Sequence, residues 1–190
     1  QVNTSGLNLQ FNTYQDYPIN VPANNTQNEL YIPATQQRGF AVLSMPEWID
    51  ANNASWENYE APYTTVVKTG GTDNVTELEN YQWQIGDIAI PQLPVSLSRY
   101  SLKNISPLAI IELQKALEEC DIKLRNIKEP FKQLIVGRGL GRYGSSYDLL
   151  ANSLRLRINY VSQPNNLLWH NFVFHRRTLN MTRNGRRMII

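Results

Sequence analysis

Cysteine is almost missing. Cys120 is alone among 190 residues, which excludes an intramolecular disulfide framework and any multi-cysteine zinc site. Histidine is nearly as scarce: His170 and His175 are the two, too few for a His-rich metal centre. Charged residues make up 18% of the chain, low for a globular domain. Neutral amides replace them, with 21 Asn and 12 Gln. Ten Gly and ten Pro supply many turns and are too few for disorder or a collagen-like chain. No run of 18 apolar residues occurs, so no membrane-spanning helix is expected. The chain opens at Gln1 without a charged-then-apolar leader and ends in Met188-Ile189-Ile190; it is expected to be a processed product or a piece of a longer chain.

Acidic residues are also missing from one end. Residues 1–130 carry 15 acidic and 8 basic side chains, a balance of −7, whereas residues 131–190 carry 1 acidic and 10 basic, a balance of +9. No acid follows Asp148, and Arg176, Arg177, Arg183, Arg186 and Arg187 crowd the end. Such a segment neutralises phosphate or docks on an acidic protein surface. These five arginines are the candidate assembly or charge contacts.

What the sequence does have is short β-type runs between turn signals. Leu7, Leu9 and Phe11 alternate with polar residues, the period of a half-buried strand. Glu29 to Ile32 reads as a strand, and Phe40 to Met45 as one buried on both faces. Tyr63 to Val67 is closed by Gly70-Gly71, and Tyr81, Trp83 and Ile85 alternate before Ile88 and Ile90. Phe131 to Val136 is expected to end at a glycine-rich turn. Leu154, Leu156, Ile158 and Tyr160 alternate most clearly. Leu167 to Phe174 is another strand, with Pro164-Asn165-Asn166 read as a hairpin turn between these two. Thr178 to Thr182 is expected to add an edge strand. One helix is expected at 106–120: Ser106 suits the N-cap, Pro107 the first helical position, and Ala109, Leu113, Ala116, Leu117 and Cys120 fall on one stripe. Glu112, Lys115, Glu118 and Glu119 are placed outside that stripe. A weaker helical turn is read at Tyr147 to Ala151.

Eight to ten strands, one helix and no βαβ alternation predict an all-β fold. The expected form is an eight-stranded antiparallel jelly-roll sandwich, with the helix outside its core. Residues 1–190 read as one such domain, with 50–80 as a surface excursion between strands.

Catalytic patterns are thin. Gly139-Leu140-Gly141-Arg142-Tyr143-Gly144 fits G-x-G-x-x-G. It lacks the acidic residue about 20 positions on and the βαβ unit that a dinucleotide site needs, so the glycines are read as a sharp turn or bulge. His170 and His175, five apart in a strand, are expected on opposite faces, so they neither chelate one metal nor share a triad. No G-x-S-x-G elbow occurs. Neither cofactor nor metal is expected, and the chain is not expected to be an enzyme. Six N-x-S/T sequons, at Asn3, Asn24, Asn53, Asn74, Asn104 and Asn180, are consistent with Asn richness. Trp48, Trp56, Trp83 and Trp169 are placed in core and interfaces, with a sugar-binding face as the alternative.

The order of elements carries a resemblance. Trp83-Gln84-Ile85-Gly86, Pro91 and Pro94 precede the helix Ile110 to Leu117. After it come "FKQLIVGRGLGRYGSSYDLLANSLRLRINY" and "NLLWHNFVFHRRTLNM". This order resembles the C-terminal jelly roll of major capsid proteins of the double jelly-roll lineage, which includes adenovirus-type hexons, virophages and the Polinton and adintovirus group. The opening "NTYQDYPINVPANNTQNELYIPATQQRGFAVLS" is similar to that domain's first strands. The resemblance implies a structural capsid protein of the virion, assembled inside the host cell. It implies a trimeric pseudo-hexagonal capsomer and a chain that forms one of two jelly rolls. A single jelly-roll vertex (penton) protein and a jelly-roll carbohydrate-binding module are the alternatives. The partners implied are copies of the chain and other capsid proteins. An internal minor protein or packaged DNA is the further candidate for the basic end.

Overall fold

The computed structural model describes residues 7–48, 64–69, 72–97, 106–122, 135–141, 146–162, 166–181 and 187–189. The elements in chain order are β1 (Leu7–Asp16), β2 (Ile19–Val21), β3 (Gln27–Ile32), β4 (Gly39–Trp48), β5 (Thr64–Thr69) and β6 (Thr72–Ile85). They continue with β7 (Ile88–Ser96), α1 (Pro107–Glu119), β8 (Val136–Gly139), β9 (Leu154–Ser162), β10 (Leu167–Met181) and β11 (Arg187–Ile189). Eight strands pair first with last: β1 with β10, β3 with β9, β4 with β8, and β6 with β7. That nesting is a long antiparallel hairpin wrapped into two sheets, the jelly roll read from the sequence. Sheet A runs β1-β10-β4-β8 and sheet B runs β3-β9-β6, with β5 and β7 both on β6. The other pieces lengthen existing rows. β2 continues the β1 edge along Leu167 to Trp169, and β11 flanks Leu179 to Met181 on the side opposite β1. β5 takes the first half of β6 and β7 the second.

Alternation decides which side chains enter the sandwich. Leu154, Leu156, Ile158 and Tyr160 of β9 are buried, as are Tyr81, Trp83 and Ile85 of β6 and Leu30 and Ile32 of β3. They face Leu167, Trp169 and Val173 of β10, Val42 of β4 and Val136 of β8 in one core. Two polar groups enter it because they satisfy each other: Ser44 Oγ donates to Asn171 Oδ1 at 2.6 Å. Asn171 Nδ2 donates to the carbonyls of Tyr17 (2.8 Å) and Trp169 (3.0 Å), which fixes the chain where β1 gives way to β2.

Helix α1 lies outside the sandwich, on the outer face of β4 and β8. Gly137, paired with Leu43, lets it approach. A Cβ there would sit 2.9 Å from Leu43 Cδ2, 3.0 Å from Leu113 Cδ1 and 3.1 Å from Ala116 Cβ. Ser106 holds the N-cap position but makes no side-chain capping bond. Glu112, read as outside the apolar stripe, is buried with Ala109, Leu113, Ala116 and Leu117. It takes an i+3 position of that stripe, and Arg138 of β8 together with Lys115 neutralises it there.

Pairing corrects several local expectations. β9 belongs to sheet B and β10 to sheet A, so the two strands do not form the expected hairpin; residues 163–165 between them lie outside the described residues. Thr178 to Met181 is not a separate edge strand. It is the end of β10, held between β1 and β11. Gly137 and Gly139 are not in a turn, because Val136–Gly139 is strand β8; residues 131–134 and 142–145, with the second half of the Gly139–Gly144 stretch, lie outside the described residues. Tyr147 to Ala151 is a non-helical turn held by Asp148, whose Oδ1 accepts from the Leu150 N–H at 2.9 Å. Residues 64–69 and 72–80 are β5 and the first part of β6; residues 50–63, 70 and 71 lie outside the described residues, so the reading of 50–80 as a surface excursion stands as an expectation.

Candidate functional site

Of the five arginines singled out in the sequence, Arg176 and Arg177 lie on β10. Arg187 opens β11 opposite Met181, and Arg183 and Arg186 lie outside the described residues. The fold adds a residue that the sequence did not mark. Arg38, in the β3–β4 connection, comes against the end of β10, where its carbonyl accepts the Arg176 N–H at 3.1 Å and its Nη1 donates to Thr178 Oγ1 at 3.2 Å. No local pattern announces this, since the two partners are 140 positions apart. The three arginines border a cavity of about 250 Å³ that Gln15, Gln36 and His175 also line.

Arg177 and Arg176 both contact neutral groups there. Arg177 Nε–H donates to His175 Nε2 at 3.1 Å, and the Arg176 guanidinium lies 5.6 Å from the centroid of the Phe40 ring. Burial, with the Arg177 charge, keeps the His175 imidazole below its usual range despite its contact with the Val173 carbonyl. A neutral imidazole is the form that can accept from Arg177. Gln36 Nε2 donates to Gln15 Oε1 (3.0 Å) and to the Tyr17 hydroxyl (2.5 Å). Among the described residues no carboxylate bonds to Arg38 or Arg177. Arg138 pairs with Glu112, and Arg155 and Arg157 pair with Glu29.

Beside this cavity, sheet A runs past the part that sheet B covers. On β10 the sandwich-facing Leu167, Trp169, Asn171, Val173 and His175 are buried, but Arg177 is exposed. Phe11 pairs with Arg177 and Leu9 with Leu179, and these apolar side chains are 42% and 45% exposed. The sequence reads this strand as half buried; its apolar side faces the right way but beyond the edge of sheet B. On the opposite face Tyr14, 60% exposed, packs edge-on to Phe172 at 5.9 Å and against Phe174 at 5.5 Å. β1 is an edge strand with no Lys, Arg or Pro from Leu7 to Asp16, residues that often blunt such an edge.

The two histidines take opposite faces of β10, as their spacing predicts. His170 Nδ1 is 2.8 Å from Asp16 Oδ2 and its Nε2 is 3.0 Å from Glu47 Oε2. One ring thereby joins β1, β10 and β4. Partial burial lowers its pKa, but the bonds and charges of Asp16 and Glu47 outweigh this and hold it above its usual value. Both imidazoles are thus fully engaged in structural bonds. Cys120, read as a buried apolar group, is half buried at the end of α1, and burial, with the Glu119 charge, pushes its thiol up to about 12. Trp83 and Trp169 are wholly buried and cannot line a sugar face; Trp56 lies outside the described residues.

No protein-family model matches the chain, and no curated protein matches it. Among solved structures, the crystal structure of the mavirus major capsid protein aligns over 100% of this chain and 42% of its own, at 9% identity and a TM-score of 0.39. The chain therefore spans less than half of that protein. The jelly-roll assignment rests on the strand pairing described above and not on this alignment.

Proposed function

We propose that the chain is a structural capsid protein, one jelly roll of a shell subunit that assembles through copies of itself and does no catalysis. The observation that carries this is the exposed apolar side chains at the end of sheet A. That end presents Leu9, Phe11 and Tyr14 on two faces of the edge strand β1, beside Arg38 and Arg177, which bond to no carboxylate among the described residues. Apolar and aromatic patches flanked by complementary charge suit protein–protein contact. The order of motifs shared with double jelly-roll capsid proteins supports the same reading. It favours a trimeric capsomer in the virion, and the −7 and +9 halves of the chain provide opposite charge between neighbours.

A carbohydrate-binding module is the second reading. The outer face of sheet B holds a cleft of about 430 Å³ lined by Gln27, Asn80, Gln82, Asn159, Glu29 and Arg157, amide and charged groups that hydrogen-bond hydroxyls. Replacing Arg183, Arg186 and Arg187 together with Gln tests the first reading. Capsomer or shell assembly, followed by electron microscopy and sedimentation, should fail while the circular dichroism of the jelly roll persists. Normal assembly with loss of packaged genome would assign the arginines to nucleic acid. A folded monomer that binds glycans and never assembles would favour the second reading.

A further inference from the structure

We infer that the outer edge of β1 is a two-fold docking strand: residues 8–12 of one copy pair antiparallel with residues 8–12 of a second copy of this chain, Gln10 opposite Gln10. The inference rests on the assembly reading above and specifies one of its contacts.

Three features carry it. The first is openness. β1 ends the row of sheet A, and among the described residues no strand pairs with its other edge. Every side chain from Asn8 to Asn12 is exposed, on both faces of the strand, whereas a strand over a sandwich core buries every second one. The main-chain N–H and C=O groups along such an edge take an added strand.

The second is symmetry. Asn8-Leu9-Gln10-Phe11-Asn12 alternates amide and apolar, and its chemical type is the same read from either end. Antiparallel pairing centred on Gln10 therefore sets Leu9 opposite Phe11 twice on one face. On the other face it sets Asn8 opposite Asn12 twice, with the two Gln10 amides between them. A one-residue slip would turn amides toward apolar groups. The four apolar side chains extend a row that Leu179, the β10 partner of Leu9, begins, and the amides both donate and accept across the strands.

The third is charge. No charged residue occurs from Leu7 to Gln15, so two copies of the strand meet without repulsion. Asp16 lies beyond the joined segment, and its carboxylate is engaged by the His170 ring and the Asn171 N–H. The two copies of Arg177, on β10 of each subunit, would stand about 14 Å apart across three strand spacings, beyond the screening length of about 8 Å. A neutral strand offers no cation to a phosphate backbone or an acidic peptide, and a strand of its own kind matches both of its faces. Such a contact is isologous and closed by its two-fold axis. Between the trimers proposed above, it would join closed units into a larger shell.

Gln10→Lys and Gln10→Glu each set like charges face to face across that axis. Sedimentation equilibrium of the chain at low salt should show self-association weakened roughly fivefold in either variant alone, with unchanged circular dichroism. An equal mixture of the two variants should regain at least wild-type strength and lose that gain as salt rises. Amide exchange at residues 8–12 should slow as wild-type concentration rises, a readout that needs no substitution. Variants that associate like the wild type, a mixture no stronger than its components, or exchange independent of concentration in a chain that associates would each overturn the β1 pairing and leave the assembly reading standing. A wild type that stays monomeric throughout would overturn the assembly reading and the pairing with it.

Discussion

Trp169 Nε1 donates a 2.8 Å hydrogen bond to the Tyr160 hydroxyl, and the two side chains come from different sheets. Both are buried, and burial holds the Tyr160 phenol above its usual range, so it stays protonated. The bond is a polar rivet across an otherwise apolar core. Tyr160→Phe keeps the ring and strands the indole N–H. Stability should fall by about 1–3 kcal/mol, read as a lower urea midpoint with unchanged slope; an unchanged midpoint would remove the rivet from the account.

His170 makes stability depend on pH with a definite sign. Its folded pKa is raised, by Asp16 and Glu47 acting against burial. Its contribution is therefore fully present below the unfolded value of about 6.5 and is lost as pH rises through the folded value. The difference in stability between wild type and His170→Gln should be larger at pH 6 than at pH 9. His175, whose pKa is lowered, contributes in the opposite sense: its share is present above about 6.5 and lost as pH falls through its folded value. A His170→Gln difference that is flat between pH 6 and pH 9 would show that the ring is held by packing alone.

Helix α1 touches β8 where only hydrogen fits. Gly137→Ala places a methyl 2.9–3.1 Å from Leu43, Leu113 and Ala116, and Ala116 cannot rotate away. Destabilisation of about 1–3 kcal/mol is expected, with the helix displaced from the sheet. Thermal melts and amide exchange of residues 109–117 check this; wild-type protection there would contradict it.

Cys120 should be a poor nucleophile, because the thiolate is the reactive form and burial beside Glu119 pushes its pKa up to about 12. Alkylation by iodoacetamide at pH 8 should be at least tenfold slower in the folded protein than in urea. Equal rates would mean that the thiol stands open at the helix end.

Local pattern was legible and partnership was not. The alternation of Leu154 to Tyr160 and of Tyr81 to Ile85 reported buried faces correctly, as did Ala109, Leu113, Ala116 and Leu117 of the α1 stripe, because burial is a local property of a strand or helix. Strand count and the lone helix were enough for the jelly-roll class. The Pro164-Asn165-Asn166 turn misled because a turn signal says that the chain bends, not which sheet receives it. Gly137 and Gly139 read as a turn because their reason for being glycine, the approach of α1, comes from another element. Glu112 looked solvated because its partner Arg138 is on a strand 26 residues on. At the candidate site the sequence marked Arg176 and Arg177 by charge. It missed Arg38, which only tertiary structure delivers, and it misjudged the exposure of Leu9 and Phe11, which depends on where sheet B ends.

The central claim is that this jelly roll works by associating with its own kind. Sedimentation velocity of the protein expressed from its complete reading frame, at high concentration and low salt, tests it most directly. Trimers or larger species are predicted, shifting toward smaller ones as salt screens the −7/+9 asymmetry; a strict monomer under those conditions would contradict the account.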